Sequence, residues 1–250
     1  MSQPQPETVP SETTPSHYTH GDRILVAIDC IVFGYDEEIG LQLLLVKRHI
    51  EPEKGKWALM GGLLKLHENL DQAAQRILHR LTGMHDVYLE ELKVYSNTQR
   101  DPVERTISVT YFALINIHNY QHQITDDYEA HWFPVSDIPE LIFDHTQMVQ
   151  QAKERLRYKA ALHPIGFELL PERFTLTQLR NLYDAIYETE LDKGNFRRMI
   201  LATDLLIRLK EKDKANSKKG AYFYQLNEEK YRENLTHFLS LPAGYKNFNK

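Results

Sequence analysis

Trp57-Ala58-Leu59-Met60-Gly61-Gly62 runs directly into Leu63-Leu64-Lys65-Leu66-His67-Glu68, and then into a segment whose apolar residues keep helical spacing. Leu70, Ala73, Ala74, Ile77, Leu78 and Leu81 recur at intervals of three and four, the stripe of an amphipathic helix. Gly83 follows the last of them and suits a left-handed helix end. A tryptophan, a glycine turn, a short loop and a one-sided helix must therefore be laid down in fixed register. By periodicity alone this is a core-packing helix after a glycine turn.

The surrounding sequence is rich in strands. Ile24 to Phe33 and Leu41 to Lys47 read as a hairpin joined through Asp36-Glu37-Glu38-Ile39-Gly40. Glu51 to Trp57, with Pro52 and Gly55, reads as a loop. Val87 to Gln99, Arg105 to Asn116 and Glu129 to Pro134 read as further strands, and His145 to Leu162 as a helix. Residues 1–20, rich in Pro, Ser, Thr, Gln and Glu, read as a disordered tail.

After Ile165 the pattern changes. Phe167 to Leu170 starts a short helix. Leu176 to Tyr187 carries the stripe Leu179, Leu182, Tyr183 and Ile186, with Thr177 as a candidate cap. Asp192 can cap a second helix, Lys193 to Thr203, on which Phe196, Met199 and Ile200 are expected to face inward. Strands follow at Leu205 to Lys210 and Ala221 to Leu226, joined by the charged loop Glu211 to Gly220. Helix, turn, helix and a basic hairpin is the order of a winged helix-turn-helix. Lys193, Asn195, Arg197 and Arg198 stand at the start of the second helix, where recognition helices meet base edges. Arginine can pair with guanine, asparagine with adenine, and lysine with phosphate. Lys210, Lys212, Lys214, Lys218 and Lys219 mark the hairpin as a wing, with Lys218 and Lys219 the expected DNA contacts. Tyr222 and Tyr224 read equally as core residues or as backbone contacts.

Charge agrees with this division. Residues 1–160 hold 15 Lys+Arg and 23 Asp+Glu, whereas the window 193–219 holds 9 basic and 3 acidic residues. The second half therefore has the balance of a nucleic-acid partner, although the whole chain is net -5. A lone cysteine, Cys30, lies in an apolar run and reads as a buried strand residue, so no intrachain disulfide is expected and a reducing cytoplasm fits. Met1 to His20 lacks the layout of a signal peptide, and no apolar run is long enough for a membrane span. His118 and His122 have metal-pair spacing but no third ligand nearby, so no metal and no cofactor are expected.

The Gly62-to-Met84 stretch resembles a Nudix box, G-x5-E-x7-R-E-U-x-E-E-x-G-U. Gly62, Glu68, Arg76, Leu78, Gly83 and Met84 fall in register, and Ile77, Arg80 and Leu81 stand where the later glutamates of the box belong. In that family those glutamates hold divalent cations, so the resemblance implies a Nudix-like fold without hydrolysis. Joined to the winged helix, the chain resembles the Nudix-related (NrtR-like) transcriptional regulators. Phe174 to Leu179 and Asp192 to Arg198 are the strongest matches. Within that family, Arg100-Asp101-Pro102-x-Glu104-Arg105 and Leu141-Ile142-Phe143-Asp144-His145 are similar to the sugar-responsive regulators of Bacteroidetes, such as those for arabinose use. Another branch senses ADP-ribose.

The resemblance implies an α+β chain. A Nudix-like α/β/α sandwich over residues 21–162 senses a small effector, and a winged helix over 163–240 binds DNA, with 241–250 as a tail. It implies a homodimer on a pseudo-palindromic operator and a sugar effector, L-arabinose or a related pentose. Candidate effector residues are Asp29, Lys47, Arg48, Trp57, Arg105 and Asp144. Trp57 could offer an aromatic face to a sugar or pack under the glycines, and Arg100, Asp101, Glu104 and Arg105 could form a surface ion network. The alternatives are an ADP-ribose-sensing regulator, an active pyrophosphohydrolase, and a scaffold whose hairpin meets RNA or protein.

Overall fold

The computed structural model describes residues 21–120, 123, 129–162, 165–214 and 220–232. The expected tails 1–20 and 241–250, His122, and the wing residues Lys218 and Lys219 lie outside that set.

A mixed sheet forms the first domain. Its strands are β1 (Leu25–Asp36), β2 (Gly40–Lys47), β3 (Trp57–Ala58), β4 (Met60–Leu63), β5 (Glu90–Tyr95), β6 (Thr106–Asn116) and β7 (Ala130–Pro134). The order β3-β2-β1-β6-β5 carries β4 beside β1 and β7 beside β2. Among these strands β1 and β6 pair in parallel, over Leu25↔Thr106 to Tyr35↔Asn116, and the other strand pairs are antiparallel. β5 is shorter than the expected Val87 to Gln99.

The strand period of two divides β1 between two cores. Ile28, Cys30 and Val32 face α1 (Leu70–Thr82), in a cluster with Met60, Ala73, Ala74, Ile77 and Leu78. Ile31, Phe33 and Tyr35 face α2 (His145–Leu162), in a cluster with Met148, Val149, Ala152 and Leu156. This is the expected α/β/α sandwich. α1 starts at an Asn69–Gln72 capping box and ends at Gly83 with φ 76°. The Cys30 thiol donates to the Ala74 carbonyl at 3.7 Å, and burial raises its pKa well above the usual range.

The second core continues into the winged helix. Phe167, Phe174, Leu179, Leu182, Tyr183, Ile186, Phe196, Ile200 and Tyr224 belong to the same cluster as Phe33 and Leu43. A 3-10 turn (Phe167–Leu169) leads to β8 (Phe174–Thr175), α3 (Leu176–Tyr187), α4 (Lys193–Ala202), β9 (Leu206–Asp213) and β10 (Ala221–Leu226). The small sheet has the order β8-β10-β9. Thr175, not Thr177, caps α3: its hydroxyl accepts from the Gln178 amide, and Gln178 returns the bond. Met199 corrects a second expectation, being 64% exposed while Phe196 and Ile200 are buried.

Candidate functional site

Asp29 interrupts the apolar side of β1 that faces α2, and it is 4% exposed. A buried carboxylate needs partners, and distant segments supply them. The Ser108 hydroxyl donates to Oδ2 at 2.5 Å, and Arg100 Nη2 lies 3.7 Å from the same oxygen. His145 Nε2 lies 3.7 Å from Oδ1. Arg100 also grips Asp144, Nε to Oδ2 at 3.0 Å and Nη2 to Oδ1 at 2.9 Å. The Leu59 amide donates to His145 Nδ1 at 3.1 Å, which puts the neutral ring's proton on Nε2, facing Asp29. Burial lowers the His145 pKa, against the opposing pull of Asp29 and Asp144.

Tyr95 adds an open valence. Its hydroxyl is buried and has no hydrogen-bond partner among the described residues. Burial first, then the nearby Asp144 carboxylate, pushes its pKa up to about 12. Arg100, Tyr95, Ser108 and His145 were not among the sequence candidates. Arg100 is buried, not part of a surface ion network, and Asp101 instead accepts from the Val103 amide at 2.9 Å.

Other candidates line the strand ends nearby. Trp57 pairs with Lys47 in register, and its carbonyl accepts from the Ile142 amide at 3.1 Å. Its ring meets Phe133 and His131 edge-on at 4.8 and 5.5 Å, with the Lys47 ammonium 5.3 Å from its centroid. Trp57 is thus largely engaged in packing. Arg48 donates to the Pro52 carbonyl at 2.6 Å, and its guanidinium lies 5.5 Å from the Phe143 ring. The 141–145 loop therefore draws Arg48, Trp57, Asp144 and Asp29 towards one region. Arg105 stands apart from them. It donates to the carbonyls of Ser96, Asn97 and Thr106 at 3.2–3.4 Å, bracing the loop that carries Arg100.

Residues 62–84 hold two carboxylates, Glu68 and Asp71, and both are engaged with protein partners. Magnesium takes hard oxygen donors. Ile77 is fully buried, Leu81 packs against the α1 core, and Arg80 is exposed. The remaining acid, Glu68, is gripped by Arg76 at 2.6 and 2.5 Å and accepts from the Lys65 amide. The hydrogen bonds from Arg76 hold its pKa at about 2. Asp71 accepts from the Tyr111 hydroxyl at 2.7 Å. Among the described residues no three metal-ligating side chains come together.

The second surface lies on α4 and the wing. Asp192 caps α4 by accepting from the Asn195 amide at 2.8 Å. With Phe196 and Ile200 turned into the core, Lys193, Asn195, Arg197 and Arg198 are left exposed. Arg198 Nη2 donates to Asn195 Oδ1 at 2.9 Å, which presents the two side chains together. On the wing, Tyr222 is exposed and Tyr224 buried, separated by a register shift. The Tyr222 ring carries Arg208 at 4.8 Å and Lys212 at 4.5 Å. α4 thus starts with exposed basic residues, and the hairpin that follows it in the chain carries an aromatic-backed basic pair, the kind of charge that phosphate recognition uses.

α2 links the first site to the end of α3 in the winged helix. It begins at His145 and reaches the end of α3 through Lys153 and Arg157. Both pair with Glu188, Arg157 at 2.9 Å. Arg157 Nε also donates to the Ile186 carbonyl at 3.2 Å, and the Tyr187 hydroxyl donates to the Arg157 carbonyl at 3.3 Å.

Comparison with known proteins matches the same two parts. The NUDIX domain family matches residues 23–155, and the NrtR DNA-binding winged helix domain matches residues 166–226. The chain is 34% identical over 226 residues to the ADPR responsive transcriptional repressor NtrR of Acinetobacter baylyi, covering 89% of this chain and 90% of that protein. It is 32% identical over 135 residues to an ADP-ribose pyrophosphatase of Methanocaldococcus jannaschii, covering 54% of this chain and 74% of that protein. Shewanella oneidensis NrtR, in a crystal structure with a 27mer DNA, superposes with TM-score 0.69 at 31% identity, covering 83% of this chain and 95% of that one.

Proposed function

The chain belongs to the NrtR family, which joins a Nudix domain to a DNA-binding winged helix, and on that premise we propose that it is a transcriptional regulator whose Nudix domain senses ADP-ribose. The observation that carries the DNA-binding half is the exposed Lys193, Asn195, Arg197 and Arg198 on the first turns of α4. One relative, named for its response to ADP-ribose, supports the effector, and another, crystallised with DNA, supports the DNA-binding half. Lys193, Asn195, Arg197 and Arg198 read the duplex, with Lys218 and Lys219 on the wing. Asp29, Lys47, Arg48, Trp57 and Asp144 border the effector region, and Arg105 serves it by bracing the loop that carries Arg100. The regulator acts as a homodimer on a pseudo-palindromic operator.

The donor set of the box supports binding without magnesium-dependent hydrolysis. Effector and DNA are coupled only if the effector binds the DNA-competent and DNA-incompetent arrangements with different affinity. α2, tied to His145 at one end and Glu188 at the other, is the element whose position both sites can bias.

A pentose such as L-arabinose is the second reading. One observation favours it: the runs 100–105 and 141–145, which carry the likeness to sugar-responsive regulators, meet at the Arg100–Asp144 pair. The packing of Trp57 against Phe133, His131 and Lys47 counts against it, because the expected sugar-stacking ring is occupied. Thermal shift of the intact chain against ADP-ribose, L-arabinose and D-ribose separates the readings, since a specific ligand raises apparent stability. Stabilisation by ADP-ribose alone is expected, and stabilisation by a free pentose alone would overturn the effector assignment.

A further inference from the structure

We propose that Arg80 binds the effector's diphosphate directly, its guanidinium taking the place that divalent cations hold in Nudix hydrolases. This rests on the ADP-ribose reading above and extends it to a residue and a chemistry.

Arg80 occupies a box position where a cation-binding acid belongs, so the sign of the charge is reversed there. Its side chain is exposed, and among the described residues no carboxylate lies within ion-pair distance of it. It reaches over the box glycine: a Cβ on Gly62 would stand 3.4 Å from Arg80 Nη2 and 3.0 Å from Ile77 Cγ1. Glycine at this position keeps the approach to the guanidinium open.

The strand beneath adds donors. The Leu64 amide donates to the Val26 carbonyl at 2.8 Å. Antiparallel alternation then turns the backbone groups of Gly61 and Leu63 away from β1. The Leu63 carbonyl confirms the direction, since it accepts from Arg76 Nη2 at 3.0 Å on that outer edge. Two outward amides and an unpaired guanidinium therefore border one strand edge. The nearby Glu68 is already neutralised by Arg76.

A guanidinium holds its charge at every physiological pH and matches a phosphate with two parallel hydrogen bonds. It needs no metal and activates no water. The same substitution that removes hydrolysis thus retains recognition of the diphosphate.

The test is calorimetric titration of the intact protein with ADP-ribose, ADP and inorganic pyrophosphate, in excess EDTA and in magnesium. Wild type, Arg80→Gln and Arg80→Lys are compared. Affinity for ADP-ribose is expected to be equal in EDTA and magnesium. Arg80→Gln is expected to weaken it about 10- to 100-fold, the value of a charge-assisted hydrogen bond, and Arg80→Lys to restore part of it. ADP-ribose binding that requires magnesium, or that Arg80→Gln leaves unchanged, overturns the role of Arg80 while leaving the effector standing. Arg80-dependent binding of ADP or pyrophosphate without any binding of ADP-ribose supports the diphosphate site and overturns the effector. Absence of binding by all three probes overturns both.

Discussion

Arg100 and Asp144, 44 residues apart in the chain, are locked by two parallel hydrogen bonds of 3.0 and 2.9 Å, with the guanidinium side chain 4% exposed. The pair ties the loop before β6 to the start of α2, and through the 3.7 Å approach to Asp29 it fixes both to the central strand. Breaking a buried pair on one side leaves a charge without compensation, which costs about 3–5 kcal/mol.

Arg100→Met and Asp144→Asn should each lower unfolding free energy by that amount in urea denaturation. The double replacement should cost clearly less than the sum, because the second change removes a charge already stranded. Additive losses would show that the two groups do not act as a pair.

His145 should make stability depend on pH. Its folded pKa is depressed by burial, so the unfolded chain takes up a proton first as pH falls through about 6.5. The stability contributed by the neutral ring is complete above that pH and declines below it, towards the lower folded pKa. His145→Gln lacks this ionisation. The stability gap between wild type and variant should therefore narrow from pH 7.5 to pH 5.5. A constant gap would show that folding does not shift the ring's pKa, and a gap that widens towards pH 5.5 would show that the folded protein holds the ring protonated.

How much of this was legible in the sequence depends on distance along the chain. α1, α3 and α4 follow from apolar spacing and local caps, and Asp192 was readable as the cap of α4. The Thr175-x-x-Gln178 box carried its own local signal, which points to Thr175 in place of Thr177. Met199 has helical spacing with Phe196 and Ile200, yet α4 buries too narrow a stripe to include it. The Asp29–Arg100–Asp144–His145 cluster has no local signature. Its members come from β1, a loop and the start of α2, and charged residues in a loop look like surface residues until the fold buries them. Asp29 and Asp144 were reachable as candidates through the resemblance; Arg100 as their partner and the unpaired Tyr95 hydroxyl were not.

Trp57→Ala should blunt the effector response and leave DNA binding of the effector-free protein intact. The ring supports Lys47, His131 and Phe133 beside the 141–145 loop, far from α4 in the order of elements. Anisotropy of a labelled duplex, with and without ADP-ribose, reads both quantities. Equal effector response in variant and wild type would confine Trp57 to packing.

On the reading head, Arg197→Ala or Arg198→Ala should cost about 1–3 kcal/mol on the preferred duplex and relax its discrimination from scrambled sequence. Lys218→Ala with Lys219→Ala should weaken preferred and scrambled duplexes alike and shrink the salt slope by about one per lost phosphate contact. Wild-type affinity in all of these variants would remove α4 and the wing from the interface.

The most direct test couples the two domains in one titration. A duplex enriched from random sequence by the intact protein is titrated by fluorescence anisotropy at fixed salt, without effector, with ADP-ribose and with L-arabinose. A regulator of the kind proposed shifts its DNA affinity by roughly 5- to 150-fold with ADP-ribose, the usual range of allosteric coupling, and not with L-arabinose. An affinity that stays the same in all three conditions, or enrichment that yields no preferred sequence, contradicts it.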